Sequence, residues 1–293
     1  MTEPILILAA PRSYSSVFGA MLGQHPQTYG LPELNLFLGD TLGESWSGLA
    51  DVFPTGHSGL LRTICEVTEG EQTEEGVERA RGWVKRRFHW PVKNVFAFIQ
   101  EAVGPDTLLV EKGPTVTFAS KHIERMYSMY PEAHYLHLVR HPRSSGKSVM
   151  KLHTRDGGPA RNILDPERIW KLCNSNAVSF CDTLPIGQWM RIKGEWVMSD
   201  PHLYLPQICE WLGLDAGPEA VAAMLHPEAS PYACLGPKGA PFGNDPNFLE
   251  DPVLDWDRLA RIEEPSMAGD IDWRPGEAFT AQTVKLARQF GYH

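Results

Sequence analysis

The sequence predicts an α/β fold, a central parallel sheet flanked by helices. Short apolar runs at Ile5–Ala10, Leu108–Glu111, Tyr135–Arg140 and Met190–Val197 read as buried strands, since a parallel strand covered on both faces must be apolar on both. Between them lie segments with helical spacing rather than alternation. The first and third runs each pass into a small polar loop and then a helix: Pro11-Arg12-Ser13-Tyr14-Ser15-Ser16, and His141 to Ser148.

The elements follow in order. A helix over Val17–Gly23 succeeds the first loop, and residues 39–105 form a long insertion before the second strand. Within it Glu69–Glu78 is acidic and Arg79–Arg87 basic, an order that complements a helix dipole and predicts a solvated helix. Phe118–Tyr130 carries Ala119, Ile123, Met126, Tyr127 and Tyr130 at helical spacing, and Pro166–Leu184 does so through Ile169, Cys173, Ala177, Phe180 and Leu184. Asp200-Pro201 starts a helix with a capping carboxylate and a proline at the first position, and Gly213 ends it. Pro231–Pro252, rich in Gly, Pro and Asn, reads as a long ordered loop, and a last helix spans about Phe279–Phe290. There is no internal repeat and no linker, so residues 1–293 are expected to form a single domain.

Composition narrows the function. The chain has 293 residues, 42% of them hydrophobic, ample for a large core. Its net charge is −9 and no Lys/Arg block is long enough to track a polynucleotide, so nucleic acid is not an expected partner. Five cysteines without a C-x-x-C pair fit reduced thiols in a cytoplasmic protein. The Ile5–Ala10 run lacks a basic flank and is too short to span a bilayer, so neither leader nor membrane span is expected. Among the histidines, His134 and His137 fall on opposite faces of a strand, so no shared metal is expected with His141. His57, His89 and the Lys85-Arg86-Arg87 run read as structural or solvated groups.

The two polar loops are the informative part. A strand tip followed by a helix start presents free N–H groups and a favourable dipole to an anion. The first loop lacks the G-x-x-x-x-G-K-[ST] pattern, yet Arg12 supplies a planar cationic fork and Ser15 and Ser16 supply hydroxyls at a helix start. In the second, Arg140 ends a strand and Ser148 lies eight residues on, about two helical turns. Ser144 lies one turn earlier on the same face. Two such sites suit a ligand with two separated phosphate-like groups.

Together these segments resemble the sulfotransferases that use 3′-phosphoadenylyl sulfate, whose fold is P-loop-NTPase-like. In that family a P-[KR]-S-G-[ST]-[ST] element binds the 5′-phosphosulfate, and Pro11, Arg12, Ser13, Ser15 and Ser16 match it. Tyr14 stands where the family usually has glycine. A later strand-end arginine and a serine eight residues on bind the 3′-phosphate in the family, matched by Arg140 and Ser148. Glu111-Lys112-Gly113-Pro114 resembles the E-K-[ST]-P strand end whose lysine approaches the transferring group, and Pro32-Glu33-Leu34 resembles the segment bearing a catalytic carboxylate. Gly194 occupies a position where an aromatic residue is common. Gly236-Pro237-Lys238-Gly239 is similar to the late basic loop over the 3′-phosphate.

The resemblance implies sulfuryl transfer to a hydroxyl or amine by in-line displacement, without a metal. Arg12 and Lys112 would stabilise the charge on the departing oxygen, and Glu33 would take the acceptor's proton, with Glu111 the second candidate base. Strand alternation points Glu111 and Lys112 to opposite faces, which favours Glu33. Arg12, Ser13, Tyr14, Ser15, Ser16, Arg140, Ser148, Lys238 and Gly239 would bind the donor. The insertion at about 39–105 and the Pro231–Pro252 loop would shape the acceptor side, for a small molecule, a carbohydrate or a lipid. Two other classes stay open: a nucleotide-dependent kinase on a similar sheet, against which the missing P-loop lysine counts, and a non-catalytic nucleotide-binding protein.

Overall fold

The computed structural model describes residues 2–50, 54–155 and 165–293. Five strands, β1 (Ile5–Ala9), β2 (Thr28–Gly30), β3 (Leu108–Glu111), β4 (His134–Val139) and β5 (Trp189–Lys193), form a sheet in the order β2-β3-β1-β4-β5. All four pairings are parallel, and the β1–β4 register runs from Ile5↔His134 to Ala9↔Leu138. Parallel pairing places every C-terminal strand tip on one edge, and the order reverses at β1. Open α/β sheets bind ligands in the crevice at such a reversal.

The helices are α1 (Ser15–Gly23), α2 (Leu42–Ala50), α3 (Ser58–Glu69), α4 (Glu74–Arg86), α5 (Val92–Val103), α6 (Ser120–Met129), α7 (Pro142–Arg155) and α8 (Pro166–Cys181). After β5 come α9 (Gly194–Ser199), α10 (Pro201–Leu212), α11 (Pro218–Met224), α12 (Pro246–Glu250), α13 (Trp256–Leu259) and α14 (Ala281–Gln289). None of the described helices is long and apolar enough to cross a membrane.

Alternation along β1 divides the core. Ile5, Ile7 and Ala9 pack with Phe18 and Met21 of α1 and Leu205 and Ile208 of α10. Leu6 and Leu8 face the other way, onto Leu61 and Ile64 of α3, Val84 of α4 and Phe96 and Ile99 of α5. The long insertion is therefore the cover of one sheet face. Its solvated helix is α4, capped by Thr73 and carrying Glu74 and Glu75 in the first turn and Lys85 and Arg86 in the last. Arg87, just beyond, lies over the Trp83 and Trp90 rings.

Two differences from the sequence expectation matter. The Met190–Val197 run is not all strand: β5 stops at Lys193 and α9 begins at Gly194. Val197 and Met198 are buried from a helix instead, because a short apolar run fits either a strand or a buried helix turn. The second difference is β2, three residues Thr-Tyr-Gly on the sheet edge. Its C-terminal tip brings the following residues, Glu33 among them, to the same edge as the other strand tips.

Candidate active site

The loops after β1 and β4 are bonded to each other. Arg12 Nε donates to Ser148 Oγ at 2.9 Å, and Arg140 Nη1 donates to the Arg12 carbonyl at 2.8 Å. Ser145, rather than Ser144, adds a bond from its hydroxyl to the Pro11 carbonyl at 3.1 Å. Ser13, Ser15 and Ser16 are all buried in this loop. The first ladder bond of α1 runs from Phe18 N to Tyr14 O at 3.0 Å, so the N–H groups of Ser15, Ser16 and Val17 stand ahead of the ladder. The junction thus gathers two guanidinium groups, five serine hydroxyls and a helix start.

Lys112 follows β3 and is 2% exposed. Its stem crosses α1 at Gly19, where an added Cβ would lie 2.9 Å from Lys112 Cδ. That path brings Nζ to 3.4 Å from Ser16 Oγ and 3.6 Å from Glu33 Oε1. Burial pulls the Lys112 pKa down and Glu33 pushes back; burial pushes the Glu33 pKa up and Lys112 opposes it. The two form a coupled pair whose titration belongs to both. Glu33 is fixed from the backbone as well. Its N–H donates to Gly243 O at 2.7 Å, and α3 approaches so closely at Gly59 that an added Cβ would lie 2.1 Å from the Glu33 carbonyl oxygen.

Glu111 faces elsewhere. Its Oε2 accepts from Gly113 N at 2.9 Å, while the buried Oε1 has no partner among the described residues. Burial pushes its pKa up to about 7. A carboxyl raised in the folded state adds stability that is full below the unfolded value and is lost as pH rises through the folded one, here between about 4.5 and 7. Glu111→Gln is expected to remove that slope. Melts of both proteins from pH 5 to 8 should show the variant gaining about 1–3 kcal/mol relative to the parent toward pH 8. Parallel curves would mean that Glu111 is already ionised at pH 5.

Tyr14 takes a left-handed backbone, φ 65° and ψ 9°, as does Arg12 at φ 65°. This conformation costs an L side chain about 1–2 kcal/mol. The Arg140 guanidinium lies 4.0 Å from the Tyr14 ring centroid. On the other side, a Cβ at Gly194 would meet Tyr14 Cδ2 at 2.6 Å. The tyrosine at 14 and the glycine at 194 are therefore one feature: the ring of the first uses the space left by the second.

Lys238 and Gly239 are not brought to this junction. Both backbone N–H groups bond the Glu74 carboxylate at the start of α4, and Gly239 O accepts from Arg81 Nη2 at 3.0 Å. These bonds tie the turn to α4, and no described hydrogen bond joins Lys238 or Gly239 to the two anion loops. What the same segment does supply is Asp245, which the sequence reading missed. Its Oδ2 pairs with Arg12 Nη1, its N–H donates to Ser16 Oγ at 2.9 Å, and its Oδ1 caps α12 at Asn247 N, 2.8 Å away. The Asp245-Pro246 pair is the same helix-start signal as Asp200-Pro201 and could have located it.

The histidines serve the scaffold. His137 is buried with Nδ1 accepting from Arg191 Nε at 3.0 Å and Nε2 3.0 Å from Asn174 Oδ1. Burial and the Arg191 charge hold its pKa down at about 3, so the neutral ring donates from Nε2. His134 packs edge-on against Trp211, and His141 against Tyr292. His57 stacks on Trp46 with Nε2 2.8 Å from the Trp46 carbonyl.

The sequence profile described as "Sulfotransferase family" fits residues 4–218. Among solved structures, the chain is similar to the sulfotransferase domain from the curacin biosynthetic pathway, with 24% identity, 100% of this chain and 99% of that one covered, and a TM-score of 0.79. It is also similar to the sulfotransferase domain from the Synechococcus PCC 7002 olefin synthase, with 26% identity, coverage of 100% and 97%, and a TM-score of 0.74. No curated protein matches it. With nearly three-quarters of its length under the profile, the chain belongs to the sulfotransferase family.

Proposed function

We propose that this protein transfers a sulfuryl group from 3′-phosphoadenylyl sulfate to a hydroxyl or amine of a small-molecule, carbohydrate or lipid acceptor in the cytoplasm. The observation that carries the proposal is the joined pair of anion loops, Arg12 to Ser148 and Arg140 to the Arg12 carbonyl. The residues present suit such a donor. Ser13 Oγ and Arg140 Nε are buried without partners among the described residues, and a buried polar atom needs one. An anion supplies acceptors for both.

When bound, the donor supplies an activated sulfuryl group and a bisphosphate leaving group. Arg12, Ser13, Ser15, Ser16 and the first N–H groups of α1 would hold its 5′ end. Arg140 and Ser148, with Tyr14 beneath Arg140, would hold its 3′-phosphate. Lys112 Nζ lies between Ser16 and Glu33, where an ammonium can neutralise oxygen charge that develops as the S–O bond breaks. Its attraction also opposes the burial that favours protonated Glu33. In its ionised form Glu33 can accept the acceptor's proton. The start of α3 packs on the Glu33 backbone at Gly59, which supports the reading that the insertion frames the acceptor side. The mechanism calls on no metal.

Thermal melts test this directly. Adenosine 3′,5′-bisphosphate at a hundred times its Kd should add about 2.7 kcal/mol of stability without metal. A shift with Mg²⁺-ATP alone would replace the proposal with a kinase. A bisphosphate shift with no labelled product across an acceptor library would leave a non-catalytic nucleotide-binding protein.

Asp245 gives a further expected result. Its carboxylate sits on Arg12 and opposes any incoming anion, whereas its Oδ1 caps α12. Asp245→Asn keeps an oxygen for the cap and removes the charge. Calorimetric titration should show bisphosphate binding roughly tenfold tighter. Weaker binding would make Asp245 a positive contributor to the site.

A further inference from the structure

We propose that Tyr14 is a positioning residue for Arg140, and that Gly194 exists to admit its ring. The inference rests on the donor reading above and deepens it.

A left-handed backbone position favours glycine, which carries no Cβ penalty. This chain instead keeps a large aromatic there, at φ 65°. A residue held against its backbone preference calls for a gain made by the side chain. That gain is visible at one contact, the Arg140 guanidinium 4.0 Å from the ring centroid. Gly194 makes the complementary argument. It is not among the described glycines with positive φ, so no backbone angle demands it. What demands it is space, since a Cβ there would lie 2.6 Å from Tyr14 Cδ2.

The ring completes a mount for the arginine. Arg140 Nη1 is held by the Arg12 carbonyl at 2.8 Å, the ring supports the guanidinium plane, and Nε is buried without a partner among the described residues. The fork is thus oriented before any ligand arrives, with donor capacity in reserve. Without the ring, one contact to Arg12 would hold a long flexible side chain. Ordering it would then be charged to ligand binding, which lowers affinity. Aromatic support of the cation is also stronger in a desolvated setting.

The test uses the full chain, with adenosine 3′,5′-bisphosphate and adenosine 5′-monophosphate as ligands in calorimetry. Tyr14→Gly should weaken the bisphosphate roughly tenfold and the monophosphate less than about twofold, because only the former reaches Arg140. Tyr14→Phe should keep the parent's affinities. Gly194→Ala, which displaces the ring, should reproduce the Tyr14→Gly selectivity loss. In an Arg140→Ala background, Tyr14→Gly should cost nothing more. The inference is overturned if Tyr14→Gly binds bisphosphate like the parent, or if it loses both nucleotides equally. A parent protein that binds both nucleotides equally, with Arg140→Ala silent, overturns the donor reading instead.

Discussion

Glu33→Gln is expected to lower turnover by about 10²- to 10⁴-fold and to leave bisphosphate affinity within about twofold of the parent. The substitution keeps the side chain's shape and the backbone bond to Gly243. What it removes is a group able to take a proton 3.6 Å from the Lys112 ammonium. The parent's pH profile gives a second readout. Burial pushes the Glu33 pKa above its ordinary value, so activity should be lost as pH falls through that raised value, higher than an ordinary carboxylate would allow. On the alkaline side, burial lowers the Lys112 pKa, and activity should be lost below the ordinary lysine range. Glu33→Gln removes the main influence holding Lys112 protonated, so its residual activity should lose the acid limb and show an earlier alkaline one. Near-normal turnover would move the base to Asp245 or Glu111. Glu111 is the weaker of these, because its carboxylate is committed to the Gly113 N–H.

The parts of this site that were legible in the sequence share one property: they sit at the ends of apolar runs. Arg12, Lys112 and Arg140 each follow a buried strand rich in Leu, Ile and Val. Parallel pairing then forces those ends to one edge, so their convergence is a consequence of topology. Glu33 was legible only through resemblance, since the strand that places it is Thr-Tyr-Gly and carries no apolar pattern. The fate of Lys238 and Asp245 shows the limit of local reading. Both lie in the Pro231–Pro252 loop, where no periodicity sets direction, and tertiary partners decided the outcome. Glu74 captured the Lys238-Gly239 turn, and Arg12 captured Asp245. Tyr14 and Gly194 were each visible as departures from a family pattern, but 180 residues separate them in the chain. Only their contact shows that one explains the other.

Lys112→Met should lower turnover by about 10²- to 10³-fold and move the acid limb of the pH profile to higher pH. Methionine preserves an unbranched stem across Gly19, where Lys112 Cδ runs against α1, so packing is disturbed little. The ammonium is lost, and with it the largest influence lowering the Glu33 pKa. Burial and the Asp245 charge then act on Glu33 unopposed except by Arg12, and it stays protonated to higher pH. Two losses are therefore combined at neutral pH: charge stabilisation of the departing oxygen and the fraction of ionised base. Raising the pH should recover the second and leave the first, which separates them within one variant. The double variant Glu33→Gln, Lys112→Met should then be far from additive, because residues that act as a unit lose their joint contribution once. A Lys112→Met protein with turnover within about tenfold of the parent and an unshifted acid limb would place the developing charge away from Nζ. Arg12 and the first N–H groups of α1 would be left as its stabilisers.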